Sequence, residues 1–264
     1  MATRTTPYEL IVEPLESAVF PAIREEAVRR GRDTRRRDQF VLLGHAGAVL
    51  RDWVADDAPP DAIEQYADLL YHGYNFWSFG RRLFVFEEPV ARALTEPMVG
   101  LEDWSPELPS ASYLQLPHHL AWARVNPDAP FEPADGCFVV MDHTEPAPGA
   151  GLHLRVLLVL GLRQDRPGLS LVSYRTDLEP RGGLRRAAQP TRENGVAFAN
   201  LIPGGERRGY RTIATNGELE ALVVRALGYV AAHPESVVPA SGSAADGETH
   251  LPHYVVGSPR EPAG

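Results

Sequence analysis

The sequence predicts an α+β fold, with an N-terminal helical layer packed on a mainly antiparallel β-sheet, one late helix and a loose C-terminal tail. Three observations predict it. Through the first hundred positions, apolar residues recur at three- and four-residue steps, the period of an amphipathic helix. From about residue 110 the period changes to two, as in a strand whose side chains alternate between faces. The links between the later apolar runs are mostly too short for parallel crossovers, which favours antiparallel pairing.

The helical part begins with a short amphipathic pattern over residues 21–30, opened by Pro21, which a first helical turn tolerates. Phe40, Leu43, Gly47, Leu50 and Val54 line one face of a second helix, and Pro59 and Pro60 punctuate its end. Asp61 can cap a third, with Ile63, Tyr66, Leu69 and Leu70 as its apolar stripe. Leu83 to Phe86 follows as a short strand. Pro89 then opens a small helix over Val90 to Thr95, closed by Pro97.

Tyr113 to Leu116, Leu120 to Val125 and Cys137 to Met141 are strand candidates, with weaker ones at Val196 to Leu201 and Tyr210 to Ala214. Between Leu152 and Leu160 both alternating faces turn apolar at the later end, so this strand is expected to be covered on both sides. The turn residues Gln164 to Gly168 and the return from Leu169 to Tyr174 make a hairpin. Thr215-Asn216-Gly217-Glu218 is a capping box for a helix carrying Leu219, Leu222, Val223, Leu227 and Val230. It is expected to pack across the sheet, with Pro234 after its end.

The organisation expected is a mostly helical part at 1–98, a sheet-and-helix part at 99–233 sharing the same core, and a Pro-, Gly- and Ser-rich tail at 234–264. Disorder is expected at least over Ala240 to Glu248, while His250 to Val256 can dock back as an extended strip.

Composition bounds the chemistry. The 264 residues are 44% hydrophobic, enough for a sizeable core, and carry a formal charge of −9, which repels a phosphate backbone and disfavours a nucleic-acid partner. All 26 basic residues are arginine, a bias that fits a GC-rich genome. Without lysine no Schiff base can anchor pyridoxal phosphate, and neither the Walker A lysine nor the usual kinase lysine exists. Cys137 is the only cysteine, so an intrachain disulfide and a Cys-rich zinc site are impossible. Its apolar neighbours suggest a buried, inert thiol. The first residues lack the apolar core of a signal peptide, and no stretch approaches the ~20 apolar residues of a membrane span, so a cytoplasmic location and no membrane partner are expected.

Motif signatures are sparse. No G-x-S-x-G elbow occurs, Gly44-His45-Ala46-Gly47 lies in a helical pattern and does not follow a strand, and Gly149-Ala150-Gly151 precedes a strand. Pro133-Ala134-Asp135-Gly136 has turn composition.

Three clusters remain. Eight aromatic residues fall between Tyr66 and Phe86, with Arg81 and Arg82 among them. Rings and guanidinium groups together can stack a flat ligand or a partner's side chains, and they can equally fill a core. Tyr74, Trp77, Arg81 and Arg82 are the binding candidates, and Tyr113 and Trp122 extend them onto the neighbouring strands. The second cluster is His118, His119, Asp142, His143 and His153, a donor set that could hold a divalent metal and activate water if strand ends converge. No spacing among them is diagnostic, and His250 and His253 form a weaker pair. The third cluster is the run Arg29, Arg30, Arg32, Arg35, Arg36 and Arg37, interrupted by Asp33 and Asp38, which suits a solvated inter-helix face better than a phosphate grip.

The expected function is therefore a non-catalytic binding or accessory protein that recognises a protein partner or a small molecule. A metal-assisted hydrolase or nuclease built on the histidine set is one alternative, and a structural subunit of a larger assembly, such as a homo-oligomer, is another.

Overall fold

The computed structural model describes residues 6, 8–17, 20–29, 60–96, 110–117, 120–124, 129–143, 152–161, 170–178, 211–212, 216–240 and 251–258. Among these, nine strands form one sheet. They are β1 (Leu83–Phe86), β2 (Ala111–Gln115), β3 (Ala121–Ala123), β4 (Glu132–His143), β5 (Leu152–Leu160), β6 (Ser170–Leu178), β7 (Arg211–Thr212), β8 (Val237–Ala240) and β9 (His253–Val256). The path runs β6–β5–β4–β2–β1–β9–β8, with β3 pairing to the start of β4 and to β7.

Most pairings are antiparallel, as the sequence predicts. The expected hairpin is present as β5 and β6, in register from Leu152 opposite Leu178 to Leu160 opposite Ser170. The exceptions are the short pair β3 and β7, and β1, which runs parallel to both β2 and β9. The rule of short connections fails there because β1 reaches β2 through a helix, α4 (Glu88–Leu94), and meets β9 from the far end of the chain.

A π-helical turn, Tyr8–Val12, leads into α1 (Glu13–Glu16) and α2 (Phe20–Arg29). The longest helix, α3 (Pro60–Ser78), continues well past the stripe ending at Leu70 and carries Tyr71, Tyr74, Phe76 and Trp77. The late helix is α5 (Asn216–Ala232). The pattern at 40–54, the turn at 164–168 and the weak strand at 196–201 lie outside the described residues.

The sheet has a core on each face, because alternation sends successive side chains to opposite sides. Leu154, Val156, Leu158 and Leu160 of β5 pack with Phe84, Phe86, Leu114, Cys137 and Val139 under α4 and α5, through Leu94, Leu219, Val223 and Leu227. Leu157 and Val159 of the same strand pack with Tyr113, Phe138 and Val140 under α3 and the N-terminal turns, through Tyr8, Val12, Phe20, Ile23, Leu70 and Phe76. The strand is thus covered on both sides, as its composition predicts. Arg225 reaches out of α5 to donate from Nη1 to the carbonyl of Leu94 at 3.1 Å, satisfying an end carbonyl of α4.

One expectation is corrected here. Pro133 to Gly136 forms no turn but the first half of β4, with a register shift between Ala134 and Gly136 that leaves Asp135 as the extra residue of a β-bulge. Pro133 is tolerated at the start of the strand. Gly136 is required because a Cβ would run into the carbonyl oxygen of Leu114 and lie 2.8 Å from the Tyr113 hydroxyl. In the tail, the expected docking strip is paired into the sheet. β9 sits beside β1 in the sheet, Leu251 is buried in the α3-side core, and the Tyr229 hydroxyl donates to the carbonyl of Gly257 at 2.9 Å. The docking strip at His250 to Val256 is therefore β9 with its lead-in, and residues 241–250 lie outside the described residues.

No helix among the described residues is long and apolar enough to cross a membrane. Cys137 is buried in the core under α4 and α5, and burial pushes its thiol up from 9.0 to about 12. The folded chain then holds a proton that the unfolded chain has released, so stability falls as pH rises between those two values. Thermal unfolding followed from pH 8 to 11 is expected to show this alkaline loss. The slope should be shallower for Cys137→Val, which keeps an apolar side chain of similar size; an unchanged slope would show that the thiol plays no part.

Candidate functional site

α3 ends in a two-bond cap that decides where the predicted aromatic and arginine residues stand. Gly80 N donates to the carbonyl of Trp77 at 3.2 Å, and Arg81 N donates to that of Phe76 at 2.8 Å, the Schellman pattern. Gly80 has φ of 89°, which glycine adopts without strain, and Arg81 follows at φ 54°. A non-glycine residue there is uncommon. It is held by an ion pair to Glu16 at the end of α1. Glu16 also accepts from the hydroxyl of Tyr8. Burial raises that phenol to about 12, against the opposing pull of Arg81. The N-terminal turns are thereby clasped onto α3, and Val12 lies so close to the helix that a Cβ on Gly73 would sit 2.5 Å from it.

Around this clasp the rings form two linked groups. The inner group is closed. Phe76 meets Tyr8 at 5.0 Å and Phe138 at 5.8 Å, and Phe138 meets Tyr113 at 4.7 Å, all edge-on. The outer group joins Trp77 to Phe20 at 5.5 Å and to Tyr74 at 5.8 Å. Phe20 and Tyr74 are buried, while Trp77 keeps part of its surface in solvent. Arg24, exposed on α2, lies over the indole with its guanidinium carbon 5.9 Å from the ring. One turn further along α2, Val28 is 60% exposed, more than any other large hydrophobic side chain among the described residues. Phe79 is half-buried, and Arg82 is exposed, with no carboxylate partner among the described residues.

The predicted binding residues thus divide. Trp77, Arg81 and Arg82 reach the surface. Tyr74 and Tyr113 do not, being 5% and 2% exposed. Tyr113 points from β2 to the face that α3 covers, and Tyr74 lies on the buried side of α3 against Phe20. Desolvation raises the Tyr74 phenol, partly offset by Arg24. Both serve as packing beneath the surface residues. Trp122 is half-buried on β3, on the branch of the sheet formed with the start of β4 and with β7. Arg24 and Val28 were not among the predicted residues. Their i, i+4 spacing was visible, but the position of Arg24 over Trp77 depends on how α2 packs on α3.

The histidine set is only partly assembled. His118 and His119 lie outside the described residues. Register places Asp142 directly opposite His153, and Asp177 of β6 opposite His153 on its other side. His143 is opposite Leu152, one step along. Among residues with described side chains, no three His, Cys, Asp or Glu groups come together as a metal cluster. His253 is buried on β9 and donates from Nδ1 to the carbonyl of Leu251 at 3.1 Å, while His250 is outside the described residues. Of the arginine run, Arg29 is exposed at the end of α2 and the rest is outside the described residues.

No family model matches the chain, and no curated protein matches it. Among solved structures, the crystal structure of AcrVA2 is similar over 93% of this chain and 70% of that chain, at 10% identity and a TM-score of 0.41. A likeness this slight carries no argument about function.

Glu16 joins elements that are remote in sequence, so its loss should loosen the surface without disturbing the cores. Glu16→Gln is expected to lower stability by about 1 kcal/mol, since the pair is partly exposed. Urea unfolding measures this. A change near zero would mean that the clasp contributes only orientation.

Proposed function

We propose that this protein is a non-catalytic binding protein that engages a protein partner through Trp77, the Arg24 that lies over its ring and Val28 one turn further along α2. The observation that carries this reading is Trp77 itself. Its indole rests on buried rings and still presents a face to solvent, with a guanidinium over it. Tryptophan and arginine are the side chains that most often dominate binding energy at protein interfaces, and an anchor already held by its neighbours loses little entropy on association. Val28, one turn beyond Arg24 on α2, offers exposed apolar area of the kind that such anchors share with a partner.

The test is site-directed photo-crosslinking. With a photoreactive residue in place of Val28, a discrete crosslinked partner is expected in cells, and Trp77→Ala should abolish it. Absence of a discrete product at position 28, or one indifferent to Trp77→Ala, would remove this surface as the binding site.

A second reading, a metal-assisted hydrolase, draws on the register that sets Asp142, His153 and Asp177 in one row across β4, β5 and β6. Carboxylate and imidazole donors suit a divalent transition metal. Elemental analysis of the purified protein is then expected to find bound zinc or manganese that is lost in Asp177→Asn. Metal-free protein with no thermal shift on adding either ion would dispose of that reading.

A further inference from the structure

We infer that Pro239 closes the outer edge of β8 to strand pairing, and that without it a second copy of this chain adds there, β8 antiparallel to β8. Among the described residues β8 ends the strand path, with β9 on its one paired side. Along an antiparallel pair, successive residues turn their backbone groups alternately toward the neighbouring strand and away from it. Two bonds fix that alternation here. Gly257 N donates to the carbonyl of Ser236 at 3.1 Å, so Ser236 turns toward β9. On the far side of β9, Glu87 N donates to the carbonyl of Val256 at 3.0 Å, so Val256 turns toward β1 and Val255 toward β8. Val255 stands opposite Val238. Val238 therefore bonds to β9, while Val237 and Pro239 turn their backbone groups outward. A proline has no N–H, so this edge offers the donor of Val237 and, at the next outward position, a ring carbon in place of one.

Other means of guarding an edge are missing from this strand. β8 is Val-Val-Pro-Ala, without a charged side chain, and its register with β9 runs unbroken by a bulge. β6, at the other end of the path, carries Arg175 and Asp177 in its sequence. The surface at β8 is apolar as well. Val238 is 41% exposed, and Tyr254 of β9, stacked on Phe84, is 37% exposed. A second copy is the occupant that fits, because the strand is complementary to itself. A twofold axis through Val238 sets Val237 opposite the second copy's Pro239 and brings the two Val238 side chains together. On the other face, Tyr254 and Pro239 then continue into Val237 of the second copy, an apolar row with no charge to repel it. Pro239 removes half of the hydrogen bonds such a pair would make, and its ring meets the carbonyl that the missing N–H would have satisfied.

The experiment is disulfide trapping in the full chain. Cys137 is buried, so Val238→Cys supplies the reactive thiol. In the twofold pair the two 238 positions form a non-hydrogen-bonded pair, whose Cα atoms lie about 4.5 Å apart, within reach of a disulfide. Under mild oxidation, Val238→Cys combined with Pro239→Val is expected to form linked dimers about tenfold faster than Val238→Cys alone, read on non-reducing gels. Pro239→Val without the cysteine is expected to show, by sedimentation, a concentration-dependent dimer that the unaltered chain lacks. Equal trapping rates with and without Pro239 would overturn the inference, as would a Pro239→Val chain that sediments like the unaltered one. Pro239 is exposed and its nitrogen makes no bond to lose, so Pro239→Val and Pro239→Thr should both keep the circular dichroism of the parent in dilute solution. Unfolding of both variants would also overturn it, because the proline would then serve the fold and not its edge.

Discussion

The burial of the rings of α3 against one face of the sheet is the constraint on which the rest of the structure depends. Phe76 lies edge-on to Phe138 of β4, and Tyr113 of β2 closes the same group from the sheet side. Helical geometry then leaves no choice for the neighbouring positions. With Tyr74 and Phe76 turned inward, Trp77 falls at the boundary between the buried and solvent sides. Its position follows from the packing of its neighbours, and its partial exposure is a consequence of a core requirement.

The N-terminal turns complete the arrangement. Phe20 and Tyr8 add rings to the two groups, and Val12 packs where Gly73 leaves space for it. The polar part of the contact is concentrated in Glu16, which meets both Tyr8 and Arg81. Ion pairs at such partly exposed positions contribute little stability, but they do select one geometry among several that the hydrophobic contacts would allow. The chain after α3 is directed by the same pair, since Arg81 stands in the left-handed region just before β1 begins at Leu83.

Much of the fold was legible because it rests on periodicity. The alternation from Leu152 to Leu160 announced a strand buried on both faces, and the capping box before Leu219 announced the late helix. What escaped was non-local. Pro133 to Gly136 has the composition of a turn, and only its pairing with β3, β2 and β5 makes it a bulged strand. The strip around Tyr254 was expected to dock, yet no local pattern reveals that β9 lies parallel beside β1. The pairing of Asp177 with His153 was hidden for a related reason. Its place opposite His153 depends on the hairpin register, which the turn sets and the strand pattern does not.

The sequence by itself determined the chemical inventory and the local order: no lysine, a single cysteine, amphipathic helices ahead of alternating strands, and a dense run of rings with two arginines within it. It left open which of those rings face water. Tertiary structure decided that question, taking Tyr74 and Tyr113 inside, leaving Trp77 at the surface under Arg24, and committing Arg81 to Glu16 while Arg82 remained exposed. The physical reason is that exposure is a property of contacts between segments far apart in the chain, whereas helix and strand period are properties of neighbours. A tyrosine and a tryptophan three positions apart on one helix have the same local credentials, and only the surface that packs against them tells one from the other.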